Sequence, residues 1–146
     1  MKSIVLSLVT ILLSTIAFGQ TSKEKNTHKH VNIPTEVKAA FDKQFAGISP
    51  KWEKEGDNYE AEFESDNKET SAVFTKTGSL VETEVEIKTE ELPKTAAEYV
   101  AKNHKGATIK DAAKITDAKG TITYEAEVKG KDLIFDGQGN FVKASN

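Results

Sequence analysis

Glutamate recurs at every second position in three short segments, and this pattern is the main source of chemistry in the chain. The residues are Glu60, Glu62 and Glu64, then Glu82, Glu84 and Glu86, and finally Glu125 and Glu127. A period of two is typical of a β-strand and places every second side chain on the same face. If neighbouring strands pair in one sheet, the first six carboxylates share a surface and the last two extend it. Because adjacent like charges repel each other and attract cations, we predict a docking face for a basic protein or peptide.

Two other interpretations of these glutamates remain open. Nearby lysines could neutralise an ordinary solvated face; the candidates are Lys54, Lys68, Lys76 and Lys88. Ca²⁺ could instead bind the carboxylates. Hard cations need six to eight oxygens from a loop that wraps around them, however, and evenly spaced strand carboxylates do not wrap. The pattern therefore predicts no dedicated metal site, and Ca²⁺ binding is kept as an alternative function.

Other kinds of chemistry find little support in the composition. The chain has no cysteine, and all of its 20 basic residues are lysine. Thiol nucleophiles and thiolate metal sites are thereby excluded, and the arginine that reads phosphate and guanine is missing. No nucleophile elbow or phosphate-binding loop is present, and the paired carboxylates lie on regular strands with no evident apolar pocket to shift their pKa values. We predict a protein that is not an enzyme, uses no cofactor and binds no nucleic acid.

The three histidines do not predict a zinc site. His28 and His30 lie in a polar N-terminal stretch, whereas His104 stands at the end of a predicted helix and is expected to pack there partly buried. No third ligand is implied by this spacing.

The first 19 residues are typical of a secretory signal peptide. Lys2 supplies a positive charge, an apolar stretch runs from Ile4 to Phe18, and small residues precede a cleavage site after Gly19. This stretch is short for a membrane span, and a lipid anchor would need a cysteine. Residues 20–31 are polar and aperiodic, which predicts a disordered leader. We expect a periplasmic or secreted protein without stable membrane insertion.

Residues 32–146 contain two copies of one unit, residues 32–91 and residues 92–146. The matched features are Pro34 and Pro93, Tyr59-Glu60-Ala61-Glu62 and Tyr124-Glu125-Ala126-Glu127, and the turns Phe74-x-x-x-Gly78 and Phe135-x-x-x-Gly139. Their spacing drifts by only a few residues, as expected when loops change in a duplicated unit. Neither copy is long enough to bury much surface alone. We therefore predict one domain in which both copies share a hydrophobic core.

Each copy has the pattern of a helix followed by four strands. Apolar residues at helical spacing follow each proline, and Gly47 and Gly106 stand where each helix should end. Alternating segments then cover about residues 50–55, 59–65, 69–75 and 80–88, and again 107–116, 121–129, 131–136 and 140–145. We predict an α+β fold: a tandem α-β-β-β-β repeat forming a single broad antiparallel sheet, with two helices on one face and the glutamates on the open face. Trp52 is expected in the core, with an exposed position at a partner interface as the alternative.

The repeated framework also resembles a known family. The matching segments are Pro34-Thr35-Glu36-Val37 with Phe41 and Phe45, Trp52, Tyr59-Glu60-Ala61-Glu62-Phe63, Leu92-Pro93, Asn103-His104-Lys105-Gly106-Ala107, Tyr124-Glu125-Ala126-Glu127 and Leu133-Ile134-Phe135-Asp136. Together they resemble the PepSY-like proteins, described as similar to β-lactamase inhibitory protein and frequent in the envelope of Bacteroidetes-type bacteria. The resemblance covers essentially the whole mature chain and implies this fold, a binding or inhibitory role and no catalytic residues.

We therefore predict a secreted or periplasmic, non-enzymatic binding protein that contacts an envelope protein or peptide through its open sheet face. The alternatives are a Ca²⁺-binding envelope protein and a propeptide-like inhibitor of a secreted hydrolase. The latter follows from the similarity of PepSY modules to parts of protease prosegments.

Overall fold

The structure, a computed structural model, describes residues 31–145. The predicted signal peptide and nearly all of the leader, including His28 and His30, lie outside the described residues. The elements are α1 (Thr35–Gln44), β1 (Lys51–Glu55), β2 (Asn58–Ser65), β3 (Lys68–Phe74), β4 (Leu80–Ile87), a 3₁₀ helix (Thr89–Glu91), α2 (Lys94–Asn103), β5 (Ile109–Asp117), β6 (Ile122–Val128), β7 (Lys131–Asp136) and β8 (Phe141–Ala144). No described helix is long and apolar enough to cross a membrane.

The eight strands form one antiparallel sheet in the order β1-β2-β3-β4-β5-β6-β7-β8. Within each copy, short turns join neighbouring strands into antiparallel hairpins. β4 and β5 also pair with each other, although the 3₁₀ helix and α2 lie between them in the chain. The two copies meet where β4 pairs with β5, from Glu82 opposite Asp117 to Ile87 opposite Ala112. The predicted α+β fold with one broad sheet is therefore confirmed.

Both helices pack on the same face of this sheet. The register links Phe63, Thr70, Val85, Lys114, Tyr124 and Phe135 in one row across β2 to β7. Phe63 packs with α1 residues, and Phe135 packs with α2 residues. Since members of one row point to the same face, α1 and α2 lie on one face of the sheet, and the opposite face carries no helix among the described residues.

The hydrophobic core is divided into two clusters, one beneath each helix. Val37 and Phe41 of α1 pack over Ala61, Ala72 and Phe74. The second cluster surrounds Ala96 and Val100 of α2. The prediction of a single shared interior is therefore wrong: the copies share a sheet, and a side chain of the first copy, Ile87, belongs to the second cluster.

Trp52 belongs to the core beneath α1, as the sequence predicted. Its ring lies 5.4 Å from the ring of Phe41 and 6.4 Å from that of Phe74, measured between centroids. The register explains this position, because Trp52 stands opposite Ala61 on β2.

The repeated Phe-x-x-x-Gly motif fixes each helix to the sheet. Phe74 and Phe135 are fully buried, and the glycines that follow them adopt positive φ angles of +80° at Gly78 and +83° at Gly139. A Cβ at Gly78 would lie 2.6 Å from the backbone oxygen of Glu36. A Cβ at Gly139 would lie 2.7 Å from the Cβ of Pro93. Only glycine lets the hairpin approach the first turn of the helix so closely.

Candidate functional site

The eight predicted glutamates lie on the face opposite the helices. Three rows of paired residues show this placement. They run Glu53–Glu60–Val73–Glu82–Asp117, then Lys51–Glu62–Ser71–Glu84–Ile115–Thr123, and then Glu86–Ala113–Glu125–Ile134–Lys143. Glu64 and Glu127 extend the same face, because they stand two residues beyond Glu62 and Glu125 on their strands. The shared placement is thus as predicted, and partner binding stays a prediction.

A groove occupies the middle of this face. It has a volume of about 270 Å³ and is lined by residues of β1 to β6. Seven of the eight predicted glutamates line it, all except Glu82. Two small side chains in the lining, Ser71 and Ala113, leave room between the surrounding carboxyl groups.

The central carboxyl groups are buried, so the prediction of a uniformly wet face without pKa shifts is wrong. Glu125 is only 5% exposed, and burial, assisted by the carboxylate of Glu84, raises the pKa of Glu125 to about 8. Burial, assisted by Glu60, raises the pKa of Glu84 to about 7. Burial also raises the pKa of Glu60 to about 7, against the opposite effect of a hydrogen bond with Ser71. The pKa of Glu82 is raised for the same primary reason, burial.

Apolar neighbours across the strands account for this burial. Val73 stands between Glu60 and Glu82, and Ile115 stands opposite Glu84. Glu125 lies between Ala113 and Ile134. Directly opposed side chains on adjacent strands are close enough to remove water from one another. The charged form of each carboxyl therefore loses hydration, which is what raises its pKa.

Lysines neutralise the two ends of the groove and leave its middle uncompensated. At one end, Lys51 Nζ lies 2.5 Å from Glu53 Oε1 and 3.1 Å from Glu62 Oε2. At the other end, Lys110 Nζ lies 3.0 Å from Asp111 Oδ2 and 2.8 Å from Glu127 Oε2. In the described part of the chain, no lysine forms an ion pair with Glu60, Glu84 or Glu125.

The four lysines that the sequence suggested as neutralising partners form no ion pair with the glutamates of the groove within the described residues. Lys68 pairs with Glu91 at 3.5 Å, beside the 3₁₀ helix. Lys54 lies on the opposite face of β1 from Lys51, which lines the groove, and its Nζ lies 5.9 Å from the ring centroid of Tyr59. Neither Lys76 nor Lys88 forms an ion pair with a groove glutamate within residues 31–145. The interpretation of an ordinary neutralised face is therefore wrong for the centre of the groove.

No group of three or more His, Cys, Asp or Glu residues between positions 31 and 145 is arranged to hold a metal ion. The carboxyl groups are distributed over several strands instead of converging on one point. His104 ends α2, partly buried as predicted, and its ring centroid lies 6.3 Å from that of Tyr99.

Sequence reasoning missed several residues of the groove. Ser71 and Glu69 of β3, and Ala113 and Asp111 of β5, all line it. Glu69 and Ser71 have the same period of two as the glutamates of β2, so the alternation alone could have identified their face. Asp111 gave no such signal, because the register between β5 and β6 shifts between Ile109 and Ala112.

No protein-family model matches the chain, and no match was found among curated proteins. Solved structures share its fold. A DUF2874 family protein from Bacteroides uniformis aligns with a TM-score of 0.69 and 18% identity, over 76% of this chain and 87% of that one. A protein from Bacteroides eggerthii, named as a candidate periplasmic protein, aligns with a TM-score of 0.69 and 17% identity, over 80% of this chain and 90% of that one. A BLIP-like protein from Bacteroides fragilis aligns with a TM-score of 0.64 and 20% identity, over 81% of this chain and 91% of that one. At these identities the likeness shows the fold.

Proposed function

We propose that this chain is a periplasmic or secreted, non-enzymatic binding protein that receives a protein or peptide partner on its open sheet face. One observation carries the proposal: a groove of about 270 Å³ on that face, lined by seven of the eight predicted glutamates. A concave site with a few specific polar groups is the usual form of a binding site. Here the polar groups are acidic, which favours a basic partner.

The chemistry of the groove supports binding more than catalysis. An acid–base pair needs two groups whose environments push their pKa values apart. In this groove burial raises the pKa values of Glu60, Glu84 and Glu125 together, to about 7, 7 and 8. Ser71 is in the lining, but no histidine stands in that lining to activate it.

Two further observations support the location and the class of protein. The first 19 residues have the pattern of a signal peptide, and the Bacteroides eggerthii neighbour is named as a candidate periplasmic protein. The Bacteroides fragilis neighbour is named BLIP-like, which favours binding over catalysis for this chain as well.

The proposal is tested by capture of partners from an envelope extract with three forms of the protein. The wild type is compared with a groove variant, Glu60→Gln, Glu84→Gln and Glu86→Gln, which changes three glutamates of the lining. A control variant, Glu36→Gln, Glu90→Gln and Glu98→Gln, loses the same formal charge away from the groove. We expect a partner that is held by the wild type and the control, is released by salt, and is not held by the groove variant.

Capture of the same proteins by all three forms would show that the groove is not the binding surface. Millimolar Ca²⁺ that raised the melting midpoint and abolished capture would favour the cation-binding alternative instead.

A further inference from the structure

Glu125 is the one charged side chain that the structure buries between residues 31 and 145, with 5% of its surface exposed. Its carboxyl group lines the groove. Burial, and after it the surrounding carboxylates, raise the pKa of Glu125 to about 8. Because no side-chain oxygen in the described residues is both fully buried and unpartnered, and no hydrogen bond to Glu125 is present there, its carboxyl group opens into the groove, where a donor from outside can reach it.

The register places a second carboxyl group across the groove from Glu125. Glu125 on β6 and Glu86 on β4 stand in one row, separated by the intervening strand β5. Adjacent strands are about 4.8 Å apart, so the two backbones are about 10 Å apart. Between them stands Ala113, whose small side chain leaves space above β5. A cationic group placed over Ala113 can therefore contact both carboxyl groups.

We propose, on the basis of the function proposed above, that this space receives one lysine side chain of the partner peptide. Its ammonium group donates hydrogen bonds to the carboxyl groups of Glu86 and Glu125, with Glu84 facing the same groove. Its four-carbon stem packs over Ala113, the small residue of the lining that stands between the two carboxyl groups.

The geometry favours lysine over other cations. A metal ion needs ligands that converge on one point, and the described residues provide no such cluster. A guanidinium group is a planar fork that suits a single carboxylate bound in a bidentate manner. An ammonium group has three donors that point in different directions, which suits carboxyl groups on different strands.

Calorimetric titration with short blocked peptides tests the inference. The first probe is acetyl-Thr-Val-Lys-Val-Thr-amide, and the second carries norleucine in place of lysine, which keeps the stem and removes the charge. We expect the lysine peptide to bind the wild type at least tenfold more tightly than the norleucine peptide. Glu125→Gln, and separately Ala113→Leu, which fills the groove, should each weaken the lysine peptide at least tenfold. The control Glu98→Gln, on the exposed side of α2, should change its affinity less than twofold.

Three results would overturn the inference. They are equal affinity for the lysine and norleucine peptides, an equal loss in Glu125→Gln and Glu98→Gln, and binding of n-butylammonium as tightly as the lysine peptide. The last result would identify a free amine as the ligand. If the lysine peptide does not bind while envelope partners are still captured through the groove, the proposed function stands and the lysine inference fails.

Discussion

Glu60, Glu84 and Glu125 give the folded protein three carboxyl groups that ionise with difficulty. Burial raises the pKa of Glu125 from 4.5 to about 8 and those of Glu60 and Glu84 from 4.5 to about 7. Between pH 4.5 and these raised pKa values, the carboxyl groups keep their protons in the folded protein but have released them in the unfolded chain. The stability that these groups contribute is therefore fully present below pH 4.5 and is lost as the pH rises through 7 and 8.

Replacing Glu125 with glutamine should stabilise the protein in alkaline solution. Glutamine keeps the shape of the protonated acid but never has to carry a charge in the buried site. At pH 8.5 we expect Glu125→Gln to increase the free energy of unfolding by about 1–3 kcal/mol, since each unit of pKa shift corresponds to about 1.4 kcal/mol and access of water to the groove reduces the full effect. Near pH 4 the two proteins should be almost equally stable. Urea unfolding at both pH values measures the difference.

Glu98→Gln is the matched control for this measurement, because it makes the same chemical change on the exposed surface of α2. It should alter stability by less than about 0.5 kcal/mol at either pH. If both substitutions have the same effect, burial of Glu125 is not its cause.

At the level of elements, each Phe-x-x-x-Gly hairpin is the joint between a helix and the sheet. Replacing Gly139 with alanine should destabilise the protein by about 2–4 kcal/mol, because the new Cβ would clash with the first turn of α2 and the backbone would be strained as well. Gly130→Ala provides the comparison. Gly130 also has a positive φ, +75°, but nothing lies within 4 Å of the new Cβ. We expect a cost of about 1 kcal/mol there.

Unfolding free energies of the two variants in urea separate the clash from the backbone strain. Equal destabilisation by both substitutions would mean that contact with the helix adds nothing to the motif.

Most of these elements could be predicted from the sequence. The predicted strand ends agree with the observed ones to within two residues, because alternation and turn residues mark both ends of each strand. The register shifts between Val73 and Phe74, and between Ile134 and Phe135, were not predicted. Each shift lies immediately before the phenylalanine of the repeated motif, and no glycine or proline marks it in the sequence.

At the scale of the whole molecule, the site was only partly predictable. The period of two identifies which glutamates share a face, whatever the curvature of the sheet. It does not show that Glu125 is buried while Glu64 is exposed. That difference depends on the neighbours across the strands: Glu125 lies between Ala113 and Ile134, whereas Glu64 stands opposite Glu69. Alternation within one strand does not reveal which residues of other strands become its neighbours.

The stability of the whole protein should be greatest near pH 5. Above that value the raised pKa values of Glu60, Glu84 and Glu125 reduce stability. Below about pH 4, stability is governed instead by carboxyl groups whose pKa values are lowered in the folded protein. Hydrogen bonds from the hairpin turns lower the pKa values of Asp117 and Asp136 from 3.8, so the stability that they contribute is lost on acidification. Melting midpoints measured from pH 3 to pH 9 should pass through a maximum, and a midpoint that rises steadily up to pH 9 would contradict the buried acids.

The shared sheet should make the two copies unfold together although each has its own hydrophobic cluster. Phe135→Ala removes a fully buried ring beneath α2 and should cost about 3–5 kcal/mol. Trp52 lies in the other cluster, beneath α1, so its fluorescence reports on the first copy alone. Because six residue pairs join β4 to β5 and Ile87 enters the second cluster, loss of the second copy would leave β4 as an open edge above an exposed apolar surface. We therefore expect Phe135→Ala to shift the Trp52 fluorescence transition and the circular dichroism transition equally. A Trp52 transition that stayed at the wild-type midpoint would show instead that the copies unfold as independent units.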